Sequence, residues 1–412
     1  MKGSSLRCLI ALFSLALAFP AAGYSILTHE QVVDIAWKDE LEPLLLQKYP
    51  QASDADLRKA HAYAYGGCLV HDMGYYPLGS KFFTDLTHYV RSGEFVLHLV
   101  HGATNLNEYA FALGALAHYC SDNVGHPSVN RAVAMAFPKL KNKFGEEVTY
   151  AEDAKSHIRV EFGFDMTQVA KNRYTSDRYR EFIGFQVSKP LLERAFYQTY
   201  SLRLDDVIGN VDLSVETFRR AASKVIPEMT RVALAMRRSQ LVKDNPTFSE
   251  NEFLFKLSRS EYEKEWGKDY QRPGFFSQFL AFILRWIPKV GPLKALAFKV
   301  PDEQTEELYV QSVNHTVETY RKLLHATAAG QLELPNLDFD TGRSPSFGEY
   351  PLADKAYARL LDELAARNFK GVPREIRDDI LRFYAQAPDR VKKGKRWHKI
   401  QTELAILKAT VK

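Results

Sequence analysis

The segment HYCSDNVGH, residues 118–126, places an aspartate midway between two histidines at intervals of four residues. Side chains four apart on a helix lie about 6 Å apart along the axis and about 40° apart around it. His118 and Asp122 can therefore bind one metal ion together, and imidazole and carboxylate ligands suit zinc. A single pair of this kind is more often a surface pair or a satisfied core group, so the prediction depends on further ligands.

His126 is predicted to bind a different ion. On a continuous helix it would lie about 12 Å along the axis from His118, too far to share one ion. Pro127 disfavours helical geometry at the residue before it, so we expect the helix to end near Gly125 and His126 to turn away. Asp122 would then bridge two sites, because a carboxylate has two oxygens.

Candidate ligands of the same chemistry lie on both sides of this segment. His157 and Glu161 repeat the four-residue interval on a predicted helix, and with His126 they could form a three-ligand site that leaves a position open for water. Upstream, Asp72 and His88 could supply the remaining ligands of the ion that His118 and Asp122 bind. The full series is His29, Asp72, His88, His118, Asp122, His126, His157 and Glu161.

The elements that must position these residues are predicted to be helices. Apolar residues recur at three- and four-residue steps, and strand-like alternation is rare. With 412 residues, 46% of them hydrophobic, the chain can bury a large core, so we expect an all-α globule in one or two domains. The predicted helical ranges are 29–48, 54–70, 105–123, 149–171, 205–242 and 303–328.

The amino-terminal residues 1–23 are predicted to be a secretory signal peptide. Lys2 and Arg7 precede an apolar run at residues 9–19, and the small residues PAAG follow before Tyr24. The run is too short to span a bilayer. Cleavage before Tyr24 would leave that residue at the mature amino terminus of an exported, periplasmic or secreted protein.

A soft domain boundary is predicted at residues 240–250, beyond which the histidine content falls. Residues 24–240 are interpreted as the catalytic domain and residues 241–412 as a helical region of unknown role. Its apolar stretch 274–301 could sit on lipid or pack against the helical body. The formal net charge of +5 permits contact with phosphate-bearing surfaces without indicating nucleic-acid binding.

The ligand order resembles that of the bacterial zinc-dependent phospholipase C family and of the related fungal single-strand-specific zinc nucleases. The resemblance covers about residues 24–240 and is most specific in ALAHYCSDNVGH and HIRVE. It implies an all-helical fold with three zinc ions in one cleft, or two if Tyr24 is not the mature terminus. By resemblance, one ion takes Asp72, His88, His118 and Asp122; the second takes Asp122, His29 and the amino group and carbonyl of Tyr24; the third takes His126, His157 and Glu161.

The mechanism that the resemblance implies is phosphoester hydrolysis by water activated on zinc. Asp72 is the candidate to orient or deprotonate that water, and the alternative is that it serves only as a ligand. His71 points roughly 100° away from Asp72 on a helix and is left outside the ligand set. We therefore expect an exported phosphodiesterase of the phospholipase C type that hydrolyses the glycerol–phosphate ester of phospholipids at a membrane surface, with no protein partner implied.

Two other functions remain open. A single-strand-specific zinc nuclease would need aromatic platforms on which bases can stack. A non-catalytic, membrane-associated zinc-binding protein would fill its open coordination positions with protein groups. The residues considered as stacking platforms are Tyr63, Tyr65, Tyr75, Tyr76 and Phe82. Cys68 and Cys120 could form a disulfide or remain buried thiols.

Overall fold

The computed structural model describes residues 25–170, 184–220, 298–385 and 395–409. These residues form fifteen α-helices and no strand, with one isolated bridge between Asp338 and Arg343. The predicted all-α fold is thus confirmed. The helices are α1 (Ile26–Ala36), α2 (Glu42–Lys48), α3 (Asp54–Cys68), α4 (Lys81–Tyr89), α5 (Ser92–Gly102), α6 (Leu106–Ala136), α7 (Pro138–Phe144), α8 (Tyr150–Ala170), α9 (Lys189–Tyr200), α10 (Leu204–Ile208), α11 (Val211–Arg220), α12 (Glu303–Ala328), α13 (Pro351–Ala365), α14 (Arg374–Ala385) and α15 (Lys395–Ala409).

Local sequence signals account for many of the helix starts. Ser53 and Asp56 form a capping box at the beginning of α3, in which each side chain accepts from the other residue's backbone N–H. The Asn105 side chain accepts from the third residue of α6, and Asp302 caps α12 in the same way. A π-helical turn (Trp37–Leu41) joins α1 to α2, and a 3₁₀ segment (Val70–Tyr75) follows α3.

Helices α3 and α6 pack at a distance that only glycine permits. A Cβ on Gly114 of α6 would lie 2.0 Å from the carbonyl oxygen of Ala64, and a Cβ on Gly67 of α3 would meet a carbonyl oxygen of α6 at the same distance. This close packing brings the carbonyl of Cys68 within 2.8 Å of Nδ1 of His118. The glycines thereby set the position of a candidate metal ligand.

The prediction that the central helix ends near Gly125 is wrong. Helix α6 continues through Pro127 to Ala136. Proline cannot donate to the carbonyl four residues earlier, and it costs about 3 kcal/mol inside a helix. Burial of the following turn compensates this cost, since Val129 and Ala132 are almost completely buried. His126 therefore stays within the helix and does not turn away from it as predicted.

The carboxyl-terminal helices share one hydrophobic core with the amino-terminal ones. Helix α12 lies on α6 and α1, where the Tyr320 hydroxyl donates to the carbonyl of Leu113 at 2.9 Å. The hydroxyls of Tyr309 and Thr28 are hydrogen-bonded at 2.7 Å. Helix α12 thus packs against two of the helices that carry the candidate metal ligands.

Several predicted features lie outside the described residues. They are the signal peptide 1–23, Tyr24, the boundary at residues 240–250 and most of the apolar stretch 274–301. The division into residues 24–240 and 241–412 accordingly stays a prediction. Cys68 and Cys120 are buried and free, so the thiol alternative is the one observed. Within the described ranges, none of the helices has both the length and the apolar character needed to cross a membrane.

Candidate metal centre

Five buried side chains from four helical elements meet at one place, and their ligand atoms form two overlapping groups that could each hold a metal ion. His29 comes from α1, Asp72 from the 3₁₀ segment and His88 from α4. His118 and Asp122 come from α6. The two groups are His29, His118 and Asp122, and Asp72, His88 and His118. The structure therefore brings together all five described residues that were predicted to hold the paired ions.

Asp122 lies at the middle of this cluster. Its Oδ2 atom is 3.1 Å from Nε2 of His118 and 3.5 Å from Nε2 of His88. Its Oδ1 atom is 3.5 Å from Nε2 of His29. Two ligands at about 2.1 Å from a tetrahedral zinc ion lie roughly 3.4 Å apart, so these separations match atoms that share an ion. Each oxygen faces different ligands, as a bridging carboxylate requires.

The backbone fixes which ring nitrogen of two histidines faces Asp122. His118 donates from Nδ1 to the carbonyl of Cys68 at 2.8 Å, and His88 donates from Nδ1 to the carbonyl of Thr84 at 2.9 Å. A carbonyl can only accept, so in the neutral rings Nε2 carries a lone pair. That lone pair points at a carboxylate, an arrangement that needs a cation or a proton between them. Outward-facing hydrogen bonds of this kind are typical of metal-binding histidines.

Several buried polar atoms of the cluster have no hydrogen-bond partner among the described residues. A buried polar group without a partner costs about 1–3 kcal/mol, so a group of them in one place fits a binding site for a metal ion. The donor set is imidazole and carboxylate, which fits zinc. The atoms are Nε2 of His88 and His118, Oδ1 of Asp72, both carboxylate oxygens of Asp122, both ring nitrogens of His126, Oε2 of Glu161 and Oδ1 of Asp340.

The electrostatics of the cluster favour positive charge at its centre. Burial alone would lower the pKa of His88, but the carboxylates of Asp122 and Asp72 more than offset it and raise this pKa to about 10. Burial would raise the pKa of Asp122, yet His118 and His126 hold it well below its usual range. Asp122 is therefore ionised when it faces the histidines, which is the state that a metal requires.

The predicted third site is present only in part. His157 and Glu161 are fully buried neighbours, with Nδ1 of the histidine 3.2 Å from Oε1 of the glutamate. However, Nε2 of His157 donates to the carbonyl of Val148 at 2.6 Å. The ring centres of His126 and His157 lie 6.2 Å apart, and Nε2 of His126 is 3.7 Å from Oδ2 of Asp122. The three-ligand set of His126, His157 and Glu161 stays a prediction.

Burial shifts the pKa values of His157 and Glu161 in the directions that favour the neutral form of each side chain. It lowers the pKa of His157 to about 4, with the charge on His126 as a second cause. It raises the pKa of Glu161 well above its usual range, and the carboxylate of Asp122 adds to this effect. A nearby cation would lower the pKa of Glu161 again, because it stabilises the carboxylate.

Two residues of the cluster were missed by sequence reasoning. His71 is completely buried and its ring stacks on that of His118, with 4.4 Å between ring centres and 6° between planes. Burial and the neighbouring His118 and His88 hold the pKa of His71 well below its usual range. Asp340 reaches the cluster from the chain between α12 and α13, with Oδ1 3.7 Å from Nδ1 of His126. The residue spacing carries no signal for Asp340.

Residues 28–210 match the model of one protein family, described as zinc dependent phospholipase C. Over these residues the chain is similar to the zinc-dependent phospholipase C family. The segment contains every predicted metal ligand except Tyr24, and Asp340 lies beyond it. Searches among curated proteins and among solved structures found no match to the chain. The matched segment covers less than half of the 412 residues, and the contribution of the carboxyl-terminal residues follows from their own contacts.

Proposed function

We propose that this protein is an exported zinc-dependent phosphodiesterase that acts on phospholipids as a phospholipase C. The observation that carries the proposal is the buried cluster around Asp122, in which two histidines have their Nε2 lone pairs aimed at carboxylates inside the matched segment. The reaction adds water across the glycerol–phosphate ester. Its oxygen bonds to phosphorus, and the glycerol oxygen leaves with a proton, giving diacylglycerol and a phosphorylated headgroup.

The ligands would be those that the structure brings together. The two groups that could hold ions are His29, His118 and Asp122, and Asp72, His88 and His118. They share His118, whose single Nε2 lone pair can bind only one of the two ions. Zinc bound there would stabilise negative charge on phosphate oxygens and lower the pKa of a bound water. The predicted contribution of Tyr24 belongs to the same proposal, and it requires cleavage of the signal peptide before that residue.

Asp72 is the side chain of the cluster best placed to orient water. It is 5% exposed, whereas His88, His118 and Asp122 are completely buried. Its Oδ1 atom lies 3.3 Å from Nε2 of His88 and accepts no hydrogen bond from the described residues. A carboxylate oxygen at the edge of the cluster can accept a proton from water and hold it for the leaving oxygen.

The structure gives less support to a nuclease. Base stacking requires exposed aromatic faces. Four of the five aromatic residues considered for that role are buried, with exposures between 2% and 7%. They are Tyr65, Tyr75, Tyr76 and Phe82. These rings are therefore buried in the protein interior and offer no exposed face for a base. A lipid remains the substrate class that the family description favours.

The proposal is tested with the mature protein, residues 24–412, loaded with zinc and assayed on mixed micelles of phosphatidylcholine, phosphatidylethanolamine or phosphatidylglycerol. We expect release of the phosphorylated headgroup together with diacylglycerol from at least one lipid. The control variant is Asp362→Asn, since Asp362 pairs with Arg396 and Lys399 in the carboxyl-terminal helices. Absence of release from every lipid by fully zinc-loaded protein would refute the proposal, and digestion of single-stranded DNA would instead support the nuclease alternative.

A further inference from the structure

Asp340 is held in one orientation by contacts that occupy one of its two carboxylate oxygens. The Tyr89 hydroxyl donates to Oδ2 at 2.8 Å, and the Tyr350 hydroxyl donates to the same atom. The backbone carbonyl of Asp340 accepts from the Asn130 side chain at 2.9 Å, and its N–H donates to Asp338 at 2.9 Å. The side chain is completely buried. These contacts leave Oδ1 as the oxygen available to another group.

The available oxygen of Asp340 faces His126. Oδ1 lies 3.7 Å from Nδ1 of His126, and neither atom has a hydrogen-bond partner within the described part of the chain. The opposite ring nitrogen, Nε2, lies 3.7 Å from Oδ2 of Asp122. The imidazole of His126 is thus located between two buried carboxylates, one at each nitrogen.

The same arrangement occurs at two neighbouring histidines with a different outer partner. His118 and His88 each direct Nε2 toward Asp122 and donate from Nδ1 to a backbone carbonyl. At His126 a carboxylate takes the place of that carbonyl. A carboxylate partner fixes the tautomer of a ligating histidine and makes the ring a stronger donor to metal.

We propose that Asp340 is a positioning residue of the metal centre, whose Oδ1 accepts the Nδ1 proton of His126 and so directs Nε2 toward an ion beside Asp122. The inference rests on the metal centre proposed above. A contraction of about 0.8 Å brings the Asp340–His126 pair to hydrogen-bond length. Because Asp340 lies outside residues 28–210, a carboxyl-terminal turn then orients a metal-binding histidine of the matched segment.

The test replaces the carboxylate by a nearly isosteric amide, Asp340→Asn, in the full mature chain. Removal of a carboxylate partner from a ligating histidine lowers metal affinity about 10- to 100-fold. We expect a zinc affinity lower by that factor, measured by competition with a chromogenic chelator, and altered visible absorption bands in the cobalt-substituted protein. A purely structural role of Asp340 would leave the cobalt bands unchanged.

Asp379→Asn is the matched control. Asp379 is also a buried carboxyl-terminal carboxylate, and it accepts from the Tyr357 hydroxyl at 2.9 Å. It has none of the cluster histidines as a hydrogen-bond partner among the described residues. We expect this variant to bind zinc as the wild type does, with the same cobalt spectrum.

The outcomes separate this inference from the proposed function. If Asp340→Asn has the zinc affinity and the cobalt bands of the wild type, the role of Asp340 is overturned, while the proposed phospholipase C function stands. A wild-type protein that binds no zinc would refute both. If Asp340→Asn does not fold, Tyr350→Phe decides, because it keeps the carboxylate and removes one of its two hydroxyl donors. A smaller loss of affinity with shifted cobalt bands supports the role, and unchanged values overturn it.

Discussion

Nε2 of His118 lies 3.1 Å from Oδ2 of Asp122, one helical turn further along the same helix. Neither atom has a hydrogen-bond partner among the residues that the structure describes, and both side chains are completely buried. Two lone pairs facing each other in the protein interior are stable only around a positive charge. This relationship is the structural basis of the metal centre proposed at α6.

Asp122→Asn should remove both metal and turnover. Asp122 faces His29, His88 and His118, and an amide has half the acceptor oxygens and no charge. Loss of an outer partner already weakens metal binding about 10- to 100-fold, so loss of this ligand should exceed 100-fold. Zinc per chain is measured by atomic emission, and lipid hydrolysis is measured in parallel.

The same substitution separates an enzyme from a structural zinc protein. An enzyme loses zinc and turnover together, whereas a structural site loses mainly stability. Retention of full hydrolysis by Asp122→Asn would contradict the central role of this carboxylate. Asp362→Asn is the control, and we expect it to keep both wild-type properties.

Gly114→Ala should separate α3 from α6. The added Cβ would lie 2.0 Å from the carbonyl oxygen of Ala64, a backbone atom that cannot move without its helix. Overpacking of this kind costs about 1–3 kcal/mol of unfolding free energy. The shift should also weaken the hydrogen bond from His118 to the Cys68 carbonyl, so zinc affinity should fall. Urea denaturation and chelator competition measure the two effects.

Gly102→Ala is the matched control for this prediction. Its Cβ would meet only the end of the Leu191 side chain, at 3.2 Å. Alanine also has a higher helix propensity than glycine, by about 1 kcal/mol. We expect unchanged or slightly higher stability and normal zinc binding. Equal destabilisation by Gly102→Ala and Gly114→Ala would show that close helix contact is not the cause.

Asp165 should make the metal-free protein less stable as the pH rises from about 4 to 6. The carboxyl accepts from the Leu27 N–H and the Thr28 hydroxyl, but burial raises its pKa to about 6. Between the unfolded value near 3.9 and the folded value, the folded state keeps a proton that the unfolded state has lost. Stability therefore falls with rising pH, by about 3 kcal/mol in total.

The Asp165 prediction is measured as a difference between two proteins. Unfolding free energies of chelator-treated wild type and Asp165→Asn are compared from pH 4 to 7, because the asparagine does not titrate. The wild type should lose about 3 kcal/mol relative to the variant across this range. Parallel curves would contradict the prediction. Asp205→Asn, which changes an exposed carboxyl, should give a curve parallel to that of the wild type.

The sequence by itself was sufficient for the all-α class, the resemblance to the family and the choice of the central candidate ligands. The reason is local: apolar periodicity predicts helices, and a four-residue interval places His118 and Asp122 on one face whatever the rest of the chain does. The predicted range 303–328 coincides with α12, and the predicted range 149–171 begins one residue before α8.

Only the tertiary structure decided how the central helix continues and which outer groups surround the ligands. The local cost of Pro127 predicts a helix end, but burial of the turns beyond it offsets that cost, and this burial depends on distant segments. His71 joins the cluster because the 3₁₀ segment, rather than a continued α3, sets the direction of its ring. Asp340 reaches its place through a contact with Asn130, 210 residues away in the chain, and no periodicity spans such a separation.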